Sequence, residues 1–308
     1  MPAIIVKDLC KLYGVQRAVD DLSFEVADGE VFALLGPNGA GKTTTVEILE
    51  GHRTRTSGQV QVLGFDPATG GRDYRERIGI VLQDAGLDED LTVVELVATH
   101  AGFYPRRRDV GEVIELVGLA EKRRSRVTTL SGGQRRRLDL ALGLIGDPEL
   151  LFLDEPTTGF DPAARRQAWT LVERLRELGK TVLLTTHYLD EAEHLADRVA
   201  VVARGRLVAT GTPEDLIAGT DAAVITFRLP ADVAVADLPL PSPAVRVDGE
   251  LVTATAEDPV AALHALTGWA LARGTSLPGL SLRRRTLEEA YLQLVDDVEA
   301  DDVRADDV

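Results

Sequence analysis

Residues 36–43 read Gly36-Pro37-Asn38-Gly39-Ala40-Gly41-Lys42-Thr43, set between the apolar run Val31 to Leu35 and the helix-forming stretch Thr44-Thr45-Val46-Glu47-Ile48-Leu49. The pattern G-x-x-x-x-G-K-[ST], entered from a strand and left into a helix, is that of a phosphate-binding P-loop. Glycines are required because the chain must turn its N–H groups toward a polyphosphate, and side chains would block that approach. In this reading Gly36, Pro37, Asn38, Gly39, Ala40 and Gly41 form the cradle, and Thr44 lies in the first helical turn behind it. Lys42 takes the β- and γ-phosphates, Thr43 holds Mg2+, and the helix N-terminus adds its dipole.

Working outward, further apolar runs of four or five residues occur at Leu150 to Leu153, Thr181 to Thr185 and Val199 to Val202, and they alternate with helix-period stretches. Continuous apolar runs of this length read as strands buried on both faces, so the sequence predicts an α/β core with a mostly parallel sheet. The strand Leu150 to Leu153 ends in Asp154-Glu155, two carboxylates at a strand's C-terminal edge, where open α/β sheets bind ligands. Asp154 suits the metal, and Glu155 suits the orientation or deprotonation of an attacking water.

Residues 84–145 have almost no strand signal and read as a helical insertion. Thr92 and Glu95 have the spacing of a capping box, and Asp109 precedes Val110, Val113, Ile114 and Val117 at helical spacing. The texture changes near residue 220. Alternating segments around Val224 to Phe227 and Leu251 to Ala254, a helix from Asp258-Pro259, a strand near Leu280 and a helix from Thr286 predict a small α+β domain over 221–295. Residues 296–308 are strongly acidic and read as a disordered tail.

The chain has 308 residues, 44% hydrophobic and 27% charged, with 34 basic and 50 acidic side chains and a net charge of −16. These values exclude collagen-like and low-complexity classes, and the acidity argues against a general nucleic-acid surface. Cys10 stands alone, the start MPAIIVKDLCKLYG lacks a signal-peptide pattern, and no run of 18 apolar residues occurs. The natural compartment is the cytosol, and a transport role requires a separate pore.

A second anion site is written at Leu130-Ser131-Gly132-Gly133-Gln134, where a hydroxyl and bare N–H groups open a helix. One nucleotide does not need two cradles from one chain. The economical arrangement is a two-fold homodimer in which each copy lends Ser131, Gly132, Gly133 and Gln134 to its partner's ATP.

With LSGGQ at 130–134, the P-loop at 36–43 and LLFLDEP at 150–156, the chain resembles the ATP-binding subunit of an ABC transporter over about residues 3–220. The resemblance implies a P-loop NTPase core, Mg2+-dependent ATP hydrolysis, and a separate transmembrane permease on whose cytoplasmic face the chain sits peripherally. It also implies roles for further residues. Tyr13 stacks on adenine, Gln83 senses Mg2+ and the attacking water, Asp161 crosses the dimer interface, and His187 contacts the γ-phosphate. Phe160 stands where the family usually has Leu.

The segment Arg283-Arg284-Arg285-Thr286-Leu287-Glu288-Glu289-Ala290-Tyr291 is similar to the extension of bacterial drug-export ATPases of the daunorubicin-resistance type, which implies export of drugs or other hydrophobic compounds. The alternative is a soluble ABC-type ATPase acting on ribosomes or DNA. Such proteins commonly carry tandem ATPase units or a long coiled-coil insertion, and this chain shows neither addition, so no nucleic-acid partner is expected. Three arginine triplets, at 106–108, 135–137 and 283–285, read as solvated faces, with Arg137 the exception because it lies in the helix after LSGGQ.

Overall fold

The computed structural model describes residues 2–81, 86–218, 223–230, 233–240, 245–256, 258–283, 286–292 and 294. The chain divides into two compact units, Met1–Pro213 and Glu214–Gln293. Gln83, Arg284, Arg285, the expected boundary at 220 and the acidic segment 296–308 lie outside the described residues.

In the first unit, β1 (Ile4–Tyr13) and β2 (Gln16–Val26) are followed by β3 (Val31–Leu35), α1 (Lys42–Leu49), β4 (Ser57–Val62), α2 (Gly71–Arg75) and β5 (Ile78–Val81). Then come α3 (Val93–Ala101), α4 (Val110–Leu116) and α5 (Gly132–Leu144). The unit is completed by β6 (Leu150–Asp154), α6 (Pro162–Glu177), β7 (Thr181–Thr186), α7 (Leu189–Leu195), β8 (Arg198–Ala203) and β9 (Arg206–Gly211). One six-stranded sheet runs β5-β6-β7-β3-β8-β9, parallel except for β9 at the edge. Its central strands β3 and β7 are buried at every position, which is why β3 is apolar throughout and the apolar Val182-Leu183-Leu184 of β7 is flanked only by threonines.

A separate antiparallel sheet, β2-β1-β4, is absent from the sequence-based expectation. Its alternation is broken by register shifts between Val6 and Leu9, between Leu9 and Lys11, and between Lys11 and Leu12. Asp8 and Asp21 adopt positive φ of 51° and 56° beside these irregularities. Bulges of this kind invert the inward face in mid-strand and erase the period-two signal. The apolar faces of both sheets close on one cluster that includes Ile4, Leu22, Phe24, Phe32, Leu34, Phe152 and Leu183 together with Val46, Ile48 and Leu49 of α1. Phe24 and Phe32 stack with ring centroids 5.4 Å apart. The buried Tyr74 hydroxyl donates to the Leu49 carbonyl. The helix behind the P-loop is thus clamped between two sheets.

Among the described residues of 86–145, strand pairing is limited to the single bridge Thr92–Arg126, so the segment is helical. Thr92 and Glu95 form a reciprocal capping box, and Asp109 accepts from the Glu112 N–H at 3.0 Å.

The second unit carries α8 (Pro213–Ala218), β10 (Ala223–Arg228), β11 (Val245–Asp248), β12 (Leu251–Ala256), α9 (Pro259–Arg273) and β13 (Ser281–Arg283). Its antiparallel sheet has the order β11-β12-β10-β13. Ile225, Phe227, Val252 and Ala254 of that sheet share a core with Leu266 of α9. Asp258 caps α9 by accepting from Val260 N at 3.1 Å and Ala261 N at 2.9 Å, with Pro259 as the first helical residue. Residues 287–292 are helical, and Thr286 and Glu289 exchange capping hydrogen bonds.

Candidate nucleotide site

Three loops meet at one rim of the parallel sheet because their strands are neighbours in register. Leu35, the last residue of β3, lies opposite Thr186, and Asp154, the last of β6, lies opposite Thr185. The loop 36–41, the pair Asp154-Glu155 and His187 therefore leave the sheet side by side.

The loop itself leaves no room for side chains at two places. A Cβ on Gly36 would stand 2.2 Å from the Val202 carbonyl oxygen. Gly41 has φ +98°, and its Cβ would stand 2.4 Å from the Ala18 carbonyl oxygen. Pro37, Asn38 and Gly39 are exposed at the tip, while Ala40 packs inward. Lys42, only 6% exposed, donates its ammonium to the Gly36 carbonyl at 2.7 Å and the Pro37 carbonyl at 3.1 Å. Burial pulls its pKa below the usual lysine range, against the opposing fields of Glu155 and Asp154. A buried cation satisfied by two carbonyl dipoles, beside the N–H groups of a helix start, is a site that accepts a polyanion.

Thr43 is exposed at the first turn of α1, with Thr44 half-buried next to it. The Asp154 carboxylate accepts from the Thr185 hydroxyl. A hydroxyl and a carboxylate are hard oxygen donors, the class that suits Mg2+. No cluster of three or more His, Cys, Asp or Glu able to hold a metal occurs among the described residues.

Glu155 is held on a strained backbone, with φ +45°. Its N–H donates to the Thr185 hydroxyl at 3.1 Å and lies 3.2 Å from the Thr185 carbonyl. One carboxylate oxygen accepts from the Thr158 hydroxyl at 3.1 Å, and the other lies 3.1 Å from His187 Nδ1. The structure thus joins Glu155 and His187 directly. The His187 ring packs on Tyr188 with centroids 4.1 Å apart.

Arg136, which the sequence reading places on a solvated face, is instead buried and fastens this turn from behind. It is 8% exposed, and its guanidinium donates to the carbonyls of Asp154 at 2.7 Å, Glu155 at 3.3 Å and Pro156 at 3.3 Å. Arg137, the expected exception, is half-buried and donates to the Gly118 carbonyl at 3.3 Å. Helical period does not separate the two, since each is followed by buried residues three and four positions on.

Ser131 caps α5: its hydroxyl accepts from Gln134 N at 3.3 Å, and Gln134 Oε1 accepts from Ser131 N at 3.0 Å. A Cβ added at Gly132 would meet nothing within 4 Å, and at Gly133 only Ala164 at 3.8 Å, so the helix start is open on that side. No hydrogen bond among the described residues joins 131–134 to the loop 36–41. Instead Gly132 and Gly133 line a cleft of about 500 Å3 with Arg136, Glu155, Thr158 and Gly159. Asp161 is exposed and caps α6 through Ala163 N and Ala164 N, both at 2.8 Å, and Phe160 before it is half-buried. Tyr13 is 40% exposed at the end of β1, with Lys11 and Arg53 over its ring at 5.1 and 5.3 Å. Gln83 lies just past β5, outside the described residues.

Glu50 ends α1 and is 3% exposed. It lines a groove of about 340 Å3 with His52, Ile78, Ile80, Tyr104 and Leu142, where the core meets the helical insertion. Burial pushes its carboxyl up to about 8, with the charges of Asp154 and Glu47 adding to the effect. His52 Nδ1, 3.3 Å away and largely exposed, does not reverse it.

The comparisons with known proteins converge. A family model described as "ABC transporter" matches residues 19–158, and one for the C-terminal domain of ABC transporter domain-containing proteins matches 223–286. The daunorubicin resistance ATP-binding protein DrrA3 of Streptomyces coeruleorubidus is 42% identical over 304 residues, 96% of either chain. The Nod factor export ATP-binding protein I of Ralstonia nicotianae is 40% identical over 314 residues, 95% of this chain and 94% of the relative. A solved ATP-binding subunit of an ABC transporter superposes with TM-score 0.64 at 28% identity, over 70% of this chain and 92% of that one.

The raised pKa of Glu50 has a measurable consequence. Its folded form keeps the proton up to about 8, whereas the unfolded chain ionises above 4.5. Its contribution to stability is therefore full below pH 4.5 and lost as pH rises through about 8, by roughly 3–5 kcal/mol. Glu50→Gln is expected to flatten the fall of Tm with pH, and to raise Tm above wild type at about pH 9 but not at about pH 5. Parallel Tm profiles for the two proteins would contradict the burial argument.

Proposed function

The chain belongs to the family of ABC transporter ATP-binding proteins, and on that premise we propose that two copies bind two Mg-ATP between them and drive a separate transmembrane permease. The observation that carries this reading is the Glu155–His187 pair at 3.1 Å, on the same sheet rim as the phosphate loop.

Gly36 to Thr44 hold the triphosphate, Lys42 exchanges its two carbonyl partners for phosphate oxygens, and Tyr13 offers its exposed face to the adenine. Thr43, Asp154 and Gln83 hold Mg2+, which when bound neutralises phosphate charge. Glu155 accepts a proton from the water that attacks the γ-phosphorus, and the bond to the β–γ bridging oxygen breaks to give ADP and phosphate. Three contacts set the direction of its carboxylate: the Thr158 hydroxyl, His187 and the backbone anchored by Arg136 and Thr185. His187 is placed to contact the γ-phosphate while steadying Glu155.

The trans contribution of Ser131 to Gln134 is supported by a helix start open at Gly132 and Gly133, with no hydrogen bond among the described residues to its own phosphate loop. Asp161 lies beside it: Ser131, Gly132 and Gly133 share a cleft of about 420 Å3 with Gly159, Phe160 and Asp161. The two segments thus form one surface for the partner copy.

No helix among the described residues is long and apolar enough to cross a membrane, and the proposed route for the solute is a separate permease. The groove beside Glu50 is the proposed seat for it, since it lies between the ATP-binding core and the helical insertion and changes shape when they move. The names of the relatives, daunorubicin resistance and Nod factor export, support export of drugs or other hydrophobic compounds from the cytoplasmic face.

Glu155→Gln is expected to slow hydrolysis by about 10²–10⁴ while ATP still binds and dimers accumulate in size exclusion. Unchanged turnover would remove Glu155 from that role. Lys42→Ala and Ser131→Ala are each expected to be inactive alone. Mixed in equal amounts, they recover roughly a quarter of wild-type activity, since half the dimers are mixed and each holds one intact composite site. No recovery on mixing would overturn the shared-site arrangement.

A further inference from the structure

We propose that the helical insertion carries its own docking surface for an anionic lipid bilayer, formed by Phe103, the triplet Arg106–Arg108 and the basic run Lys122–Arg126. This goes beyond the permease reading, because it gives the chain a direct grip on lipid. In a chain with net charge −16, residues 106–126 hold seven cations against four acids, a local +3. Arg106, Arg107, Lys122, Arg123, Arg124 and Arg126 are all exposed.

These charges are not committed elsewhere. Arg53, Arg55, Arg77, Arg165 and Arg283 each hold a carboxylate. Among the described residues, Arg106, Arg107, Arg108, Arg123, Arg124 and Arg126 make no side-chain hydrogen bond or ion pair. Arg106 and Arg126 act only at longer range, on Glu149 and Glu95 respectively. Of the four acids, Asp109 accepts from Glu112 N as the cap of α4.

The two basic segments lie together. The Arg123 guanidinium comes within 3.7 Å of the Cβ position of Gly111, in the first turn of the helix that follows Arg108. The loop is also fixed in place: Arg108 N donates to the Ile145 carbonyl at 3.0 Å, and the Tyr104 ring covers Gly146. Phe103, 67% exposed and touching only the edge of His100 among ring partners, projects from this pinned loop. An exposed aromatic ring next to guanidinium groups matches the boundary of a bilayer, where the ring enters the acyl edge and the cations meet phosphate and carboxylate headgroups. A nucleic acid offers the same phosphates, and its bases can stack on a phenyl ring, so an oligonucleotide competes with the vesicles in the test.

The test is sedimentation of the purified full chain with vesicles of phosphatidylcholine alone or with about 30% phosphatidylserine, each at about 50 and about 500 mM salt. The chain is expected to bind the anionic vesicles at low salt. Each arginine near the surface is worth about fivefold in partitioning, so R106Q/R107Q/R108Q is expected to weaken binding by about 10². Phe103→Ser is expected to weaken it at both salt concentrations, whereas the arginine effect fades at high salt. ATPase activity equal to wild type in these variants shows that they fold.

Wild-type protein that hydrolyses ATP but stays in the supernatant would overturn this inference and leave the ATPase reading standing. Binding unchanged in the triple variant would also overturn it. So would binding of a duplex oligonucleotide that is tighter than vesicle binding and lost in the same variant, since it would assign the patch to nucleic acid.

Discussion

The parallel pairing of β6, β7 and β3 is the constraint on which the site depends. Because Asp154 stands opposite Thr185 and Thr186 opposite Leu35, the three chain exits that carry charge chemistry emerge within one rim. Thr185 belongs to both networks: its hydroxyl donates to Asp154 and accepts from the N–H of Glu155. A shift of one residue in that register would turn every side chain on β7 to the other face and part Glu155 from His187. The clamp on α1 from two sheets serves the same end, since it holds the phosphate loop against a rim that the buried strands cannot move.

Rigidity behind the site contrasts with the openness in front of it. Arg136 couples α5 to the turn at Asp154–Pro156, so the helix that begins with Ser131 and the turn that carries Glu155 are joined within one chain. In the proposed dimer, that helix start reaches the partner's nucleotide. Arg136 is thus a packed connection, within one chain, between the segment proposed to meet the partner's nucleotide and the turn that carries Glu155.

Contiguous motifs were the legible part of the sequence. The phosphate loop, the Asp154-Glu155 strand end, the helix starts at Thr92, Asp109 and Thr286, and the apolar strands were all written in residues close in sequence. The parallel core was readable because strands buried on both faces cannot afford a polar interruption. The antiparallel sheet of β1, β2 and β4 was not, since its bulges break the alternation that marks a half-buried strand. Arg136 was hidden for a different reason. Three identical side chains in a row carry no mark of which one meets the turn, and only the packing of α5 on β6 decides it. The joining of Glu155 to His187 was written in neither motif, because it depends on the register of β6 and β7.

The most direct measurement is a crystal structure of the Glu155→Gln chain with ATP and Mg2+. The account predicts a two-fold dimer in which each triphosphate lies in the loop 36–43 of one copy and meets Ser131 and the N–H groups of Gly132 and Gly133 from the other. A γ-phosphate left facing solvent, or one contacted by both segments of a single chain, would contradict it.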